Sequence, residues 1–235
     1  MATATQIRYD LNIDILPSGL TSGVVSAPFD EAKAVLGSNG YEVISLPVNA
    51  ELRIRQGEKA NISQNGNYVR EGVLYIPRKG NKLVRNSPIL YSAKEATQAH
   101  RDGREFYPSN DAVEKALQDS IDFPLQNKDI PTNRFNEDEL TVWAFGKGNP
   151  KKAQAYGDFL HNSEFQTSKM PVWAVDKDYV NSQNMPFARQ LWFDRLGGGS
   201  RLYGDGRGLH CDYRVSGVRE SAEGASPKNL QPAET

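Results

Sequence analysis

Three stretches near the C-terminal end of the chain carry side chains able to do chemistry. His210-Cys211-Asp212 sets an imidazole, a thiol and a carboxylate in succession, the ingredients of a metal site or of a nucleophilic Cys-His pair. Gly197-Gly198-Gly199-Ser200 and the GDGRG run from Gly204 to Gly208 offer free backbone amides, as a phosphate nest requires. Asp205 and Asp212 are oxygen donors of the kind that hold calcium. None has the spacing its chemistry needs. The chain has three histidines, His100, His161 and His210, and no HxH or HExxH pattern. Neighbours on a strand point to opposite faces, so His210 and Cys211 would not meet there, and Cys211 is expected as a small buried apolar residue. A phosphate-binding loop needs a lysine and a following helix, and the glycine run has neither. The acidic run Glu137-Asp138-Glu139 sits where a helix should start, and compensation of the helix dipole explains it. The residues therefore predict no catalytic group, no metal and no cofactor.

The same region has a different regularity. From Leu191 to Arg219, apolar residues recur as Leu191, Trp192, Phe193, Leu196, Leu202, Leu209, Val215 and Val218. Between them stand small, polar and aromatic residues in no chemical order: Asp194, Arg195, Gly197, Gly198, Gly199, Arg201, Tyr203, Asp205, Gly206, Gly208, His210, Asp212 and Tyr213. This reads as a fixed frame carrying interchangeable display positions. Leu196, Leu202 and Leu209 would anchor the loop, with Trp192, Phe193 and Val215 packed beneath. Tyrosine supplies contact area at low entropic cost, and glycine and serine adapt, as in antibody binding loops. Arg and Asp add charge-assisted contacts.

The elements that must hold this region follow from periodicity and punctuation. Ile7 to Leu16 alternates as a half-buried strand, and Tyr41–Leu46, Glu51–Arg55 and Val73–Ile76 read as further strands. Asn65-Gly66 and Gly80-Asn81 are turn signals between them. A short helix is expected from Pro28 to Leu36, stopping at Gly37. The middle turns helical. Ser92 with Glu95 reads as a capping box, with a stop at Gly103. Ser109 caps Asp111–Ile121, Asn136 caps Glu137–Phe145, and Asn149-Pro150 opens a helix to about Leu160. Val172–Val175, Gln190–Phe193 and Arg214–Arg219 return to strand, and Trp143, Trp173 and Trp192 are expected in the core. The pattern is α+β: a β-rich part over residues 1–90, then helices and late strands, then a polar tail from 220 to 235 expected to be disordered. A glycine-rich loop this long inside a compact domain is more often functional than ornamental.

Composition excludes several partners. A net charge of -1 gives no overall field toward nucleic acid or an anionic membrane. One cysteine excludes an intrachain disulfide and a cysteine-based metal cluster. No stretch approaches the roughly 20 apolar residues of a membrane helix. The start lacks the basic end and apolar core of a secretory signal, so the chain reads as soluble, with its compartment open and surface display or export by another route still possible.

The stretch MPFARQLWFDRLGGGSRLYGDGRGLHCDYRVSGVR resembles the C-terminal variable region of proteins diversified by diversity-generating retroelements, in particular the AvpA-like archaeal group. SAKEATQAHRDG, IPTNRFNEDELTVWAFG, YGDFL and MPVWAVDKDYV fit the same group, so the similarity runs from about Tyr91 to Arg219. The resemblance implies a C-type lectin fold, in the variant shared with the formylglycine-generating enzyme, with residues 91–219 as its core and a variable region at about 191–219. It implies that adenines of AAY template codons are mutated, so that Lys, Glu, Gln, Met and Trp are out of reach at display positions. From Asp194 to Tyr213 the chain contains none of these five. The chain departs from related chemistries on the same fold. The oxidase uses paired cysteines and only Cys211 is present; the calcium-dependent lectins use a carboxylate-proline loop and a Trp-Asn-Asp triplet, and both are missing.

The expectation is a non-enzymatic binding protein whose thirteen display residues share one exposed face. Its partner would be a macromolecule, a protein or a surface component of another cell or virus. Two alternatives predict different structures. An enzyme or small-molecule site using His210, Asp205 or Asp212 needs titratable groups converging in a pocket. An assembly module needs a large apolar patch away from the loop.

Overall fold

A computed structural model describes residues 20–220; the strand expected at Ile7–Leu16 and the tail from Ser221 lie outside them. The described chain begins and ends side by side. Strand β1 (Leu20–Ser26) pairs antiparallel with the last strand from Leu20↔Glu220 to Ser26↔Arg214, so Glu220 belongs to the sheet and not to the tail. Helix α1 (Phe29–Ser38) buries Phe29, Ala32 and Leu36 on one side, the helical spacing that pins it to the sheet.

Sequence and structure first diverge after α1. The strand expected over Tyr41–Leu46 shrinks to β2 (Glu42–Val43), and Glu51–Arg55 is helical within α2 (Leu46–Gln56). The alternating LRIR pattern misleads here, because Leu52 and Arg53 are both buried and Ile54 is exposed. Pro47 in the first turn and the Glu51–Arg55 pair at 2.5 Å are the helical signals that win. A short α3 (Asn61–Gln64) follows. Residues 20–90 thus mix helices with strands rather than being β-rich.

Strand β3 (Asn67–Ile76) forms a hairpin with β4 (Gly80–Val84), where Gly80 has φ +101. Gly66 is needed for space and not for its φ: a Cβ there would lie 2.6 Å from Trp192 Cζ2. Helix α4 (Ala93–Arg101) starts at Ser92, whose side chain makes no capping bond, so the expected capping box does not form. In α5 (Asn110–Leu117) the Ser109 hydroxyl does accept from Ala112 N. That helix ends four residues earlier than expected because β5 (Ser120–Phe123) pairs with β4. After β6 (Lys128–Pro131) comes α6 (Glu139–Gly146), capped by Asp138 and not Asn136. The Thr141 hydroxyl donates to Phe135 O at 2.5 Å and holds the preceding residues in a turn. Asn149 caps α7 (Pro150–Asn162) with bonds from Lys151 N and Lys152 N.

Strand β7 (Lys169–Trp173), helix α8 (Lys177–Ser182), β8 (Phe187–Phe193), β9 (Leu202–Tyr203) and β10 (Arg214–Glu220) complete the chain. The main sheet path runs β1-β10-β3-β8-β9-β7-β6, with β2 on β10 and β4-β5 attached to β3. It crosses residue 90 freely, since β3 pairs antiparallel with β8 from Asn67↔Phe193 to Tyr75↔Phe187. β8 shows how the sheet makes two cores. Phe187, Leu191 and Phe193 point into a cluster with α2, α6 and α7, while Ala188 and Trp192 point into one with α1 and α4. Where the β3–β8 register shifts between Tyr68 and Gly72, Gln190 Nε2 donates to Val69 O and Glu71 O, so the freed carbonyls stay satisfied. Among the described residues no helix is long and apolar enough to cross a membrane.

Candidate functional site: the segment from Asp194 to Tyr213

The segment leaves β8, makes two turns, and returns as β10. Its first turn is closed by Asp194 N to Arg201 O at 2.9 Å, with a 3-10 turn at Leu196–Gly198 inside it. β9 then lodges between β8 and β7, pairing Leu202 with Phe193 and Val172, and Tyr203 with Trp192 and Trp173. The second turn is tied down by Gly204 N to Trp173 O (2.8 Å) and by Phe29 N to Leu209 O (2.8 Å). Irregular backbone is thus held at both ends by partners from elsewhere in the sheet and from α1.

Burial separates the two sets of residues. Of the eight frame residues, Leu191, Trp192, Phe193, Leu196, Leu202, Leu209 and Val215 are buried, and Val218 is half-buried. Of the thirteen display positions, Arg195, Gly197, His210 and Asp212 are exposed and the other nine are half-buried. Leu196 and Leu202 enter one core and Leu209 the other, so the anchors grip both sides of the sheet. Each buried leucine is worth roughly 1.5–3 kcal/mol.

The structure adds members to both sets. Ser200 is fully buried at φ +50; its hydroxyl lies 3.2 Å from Tyr156 Oη and 3.3 Å from Arg53 Nη1. Gly204 is buried, and a Cβ there would meet Phe123 Cε1 at 2.6 Å and Trp173 O at 2.9 Å. Both belong to the frame. Arg207 joins the surface: its guanidinium sits 4.6, 5.6 and 5.9 Å from the ring centres of Tyr203, Trp192 and Tyr213. The spacing Tyr203, Asp205, Arg207 was the available sequence signal. Trp173 was expected in the core but is 37% exposed and stacks on Tyr203 with ring centres 5.9 Å apart. Phe165, 41% exposed, lies 3.2 Å from where a Gly197 Cβ would be. Trp192 is buried as expected, and Trp143 is half-buried beneath the Arg85 guanidinium.

The candidate chemistries look different in three dimensions. His210 and Cys211 lie in a turn and not on a strand, and Cys211 is half-buried rather than buried. Among the described residues no group of three or more His, Cys, Asp or Glu could hold a metal ion. Asp205 lies over a polar patch. Burial raises its carboxyl above the usual range, against the pull of Arg189 and Arg207. Arg189 pairs with Glu105, whose Oε1 also accepts from Tyr179 Oη at 2.7 Å. Burial, Arg189 and His210 bring the His100 imidazole down to about 4. Asp205 Oδ1, Glu105 Oε2, Arg189 Nε and His100 Nε2 are buried without a hydrogen-bond partner.

Comparison with known proteins gave one kind of match. No family model matches the chain, and no curated protein does. A solved structure does, described as "Accommodation of massive sequence variation in Nanoarchaeota by the C-type lectin fold". The superposition has a TM-score of 0.64 and covers 88% of this chain and 100% of that one, at 16% sequence identity. This chain has the C-type lectin fold.

Proposed function

We propose that this protein is a non-enzymatic binding protein of the archaeal variable type, and that a retroelement diversifies its C-terminal segment to display a changeable ligand surface. One observation carries the reading. None of the thirteen display positions is buried, whereas seven of the eight frame residues are, including Leu196, Leu202 and Leu209, which stand between them. Changing the first set alters the surface, and changing the second alters the fold. The similar solved structure, described in terms of massive sequence variation on this fold, supports the reading by analogy. The expected ligand is a macromolecule, because the display residues are spread over two successive turns and none of them is buried.

The locus tests this directly. A near-copy of the 3′ end differing only at adenines, beside a reverse transcriptase gene, is the expected finding. Sibling genes should differ at Arg201, Tyr203 and Asp212 and agree at Leu196, Leu202 and Leu209. Differences spread evenly over both sets would refute the proposal.

A small-molecule site has one observation in its favour, the four partnerless buried atoms around Asp205 and Arg189. On that reading Asp205→Asn would abolish binding of a small solute. On the display reading Asp205→Asn only changes the choice of macromolecular ligand.

A further inference from the structure

We infer that the face centred on Tyr203 takes a carboxylate side chain from an acidic peptide segment of the partner, with Arg201 and Arg207 as its two grips. The inference rests on the binding function proposed above and adds the chemistry of the ligand. Both arginines are held by the same tyrosine. Arg201 Nη1 donates to Tyr203 Oη at 3.2 Å, and Arg207 lies over the ring at 4.6 Å. Both are half-buried, so part of their hydration is already gone. Among the described residues neither has a carboxylate within salt-bridge distance.

The local carboxylates are otherwise engaged. Asp205 is half-buried with Oδ1 enclosed and Asp194 accepts from Arg195 N, so each acts on its neighbouring arginine, Arg207 and Arg201, through space and not as a salt bridge, while Glu105 is taken by Arg189. Asp212 is exposed, so its charge stays hydrated. A guanidinium held in place with unused donors suits a carboxylate, which it can bind through two parallel hydrogen bonds. Trp173, stacked on Tyr203, and Tyr213, beside Arg207, extend the face with aromatic surface. Tyr, Trp and Arg together are the composition of protein-binding hot spots. Two arginines match a single carboxylate, whereas a nucleic-acid backbone calls for many phosphate contacts, which a chain of net charge -1 does not supply.

The test is selection of a random twelve-residue peptide library on the intact protein at physiological salt, with sequencing of the bound pool. The expected pool is enriched in Asp and Glu over the input. Its peptides should bind R201Q/R207Q about tenfold or more weakly, from loss of a desolvated charge pair. They should bind R134Q, altered at an exposed arginine outside the segment from Asp194 to Tyr213, within about twofold of the unaltered chain. Thermal melting checks that the double variant is folded, and the single variants R201Q and R207Q replace it otherwise. A pool without acidic enrichment, or one indifferent to both arginines, overturns the clamp and leaves the display function standing. A library that yields no peptide sensitive to any display position overturns the display function, and the clamp with it.

Discussion

Leu202→Ala against Arg201→Ala is the sharpest test of the division between frame and surface, because the two residues are adjacent. Leu202 is fully buried in β9, opposite Phe193 on one side and Val172 on the other. Removing its three terminal carbons leaves a cavity between strands that are fixed by their own hydrogen bonds and cannot collapse onto it. The cost expected is about 2–5 kcal/mol. For a domain of this length each kcal/mol lowers Tm by about 2–4 °C, so Leu202→Ala should melt roughly 4–20 °C below the unaltered chain. Arg201 is half-buried, and its side chain donates a hydrogen bond to the Tyr203 hydroxyl, while the backbone bond from Asp194 N survives truncation. Loss of the side-chain bond should cost about 1 kcal/mol, or about 2–4 °C. Calorimetry of both variants under one buffer gives the comparison. If Arg201→Ala melts as low as Leu202→Ala, display residues are structural, and a surface that can vary freely without unfolding is refuted.

Three further outcomes follow from the same packing. Arg53 is fully buried with Nε and Nη2 unpartnered, and Tyr156 and Ser200 keep a bond to each other without it; Arg53→Met should therefore lie within about 1 kcal/mol of the unaltered chain or above it, and a loss beyond about 3 kcal/mol in urea unfolding would refute the idea that this charge is uncompensated. Gly204→Ala should cost about 1–3 kcal/mol through contact with Phe123 and the Trp173 carbonyl, while Gly199→Asn should be nearly neutral, because Gly199 faces open space at φ +80, which asparagine tolerates; equal melting temperatures would sink the distinction between the two glycines. Burial pushes the Glu71 carboxyl up from 4.5 to about 7, against the bond from Leu46 N and the pull of Arg85, so between those pH values the native state holds the extra proton and stability falls as pH rises, by about 3 kcal/mol. His100, brought down from 6.5 to about 4, does the opposite: its contribution is present above pH 6.5 and is lost as pH falls toward 4. Relative to the unaltered chain, Glu71→Gln should thus lose more stability on acidification from pH 6.5, and urea midpoints showing the same pH slope for both would refute the assignment.

The readable parts of the fold were those whose signal is local. The Asn149 cap with Pro150, the Ser109 cap and the strand at Gln190–Phe193 need only neighbouring residues, and they stand where periodicity placed them. Elements decided by distant partners were misread. Glu51–Arg55 alternates like a strand but is helical, and the helix expected to reach Ile121 stops early because Ser120 finds Val84 in another strand. The candidate site divides the same way. The leucines of the frame were legible because their recurrence survives any fold that buries them. Arg207, Trp173 and Phe165 were not, since nothing in the linear order brings residue 173 or 165 to the loop at 197–207.

By itself the sequence determined an α+β chain with an apolar frame interrupted by polar and glycine positions near its end. That much follows because hydrophobic spacing is written residue by residue. Only the tertiary structure decided that Ser200 and Gly204 are frame, that Arg201 and Arg207 share one tyrosine, and that Arg53 lies buried over the Phe193 ring with no counter-charge among the described residues. Burial and charge pairing belong to the space between strands and helices, and that space exists only once β8, β9, α2 and α7 have closed around it.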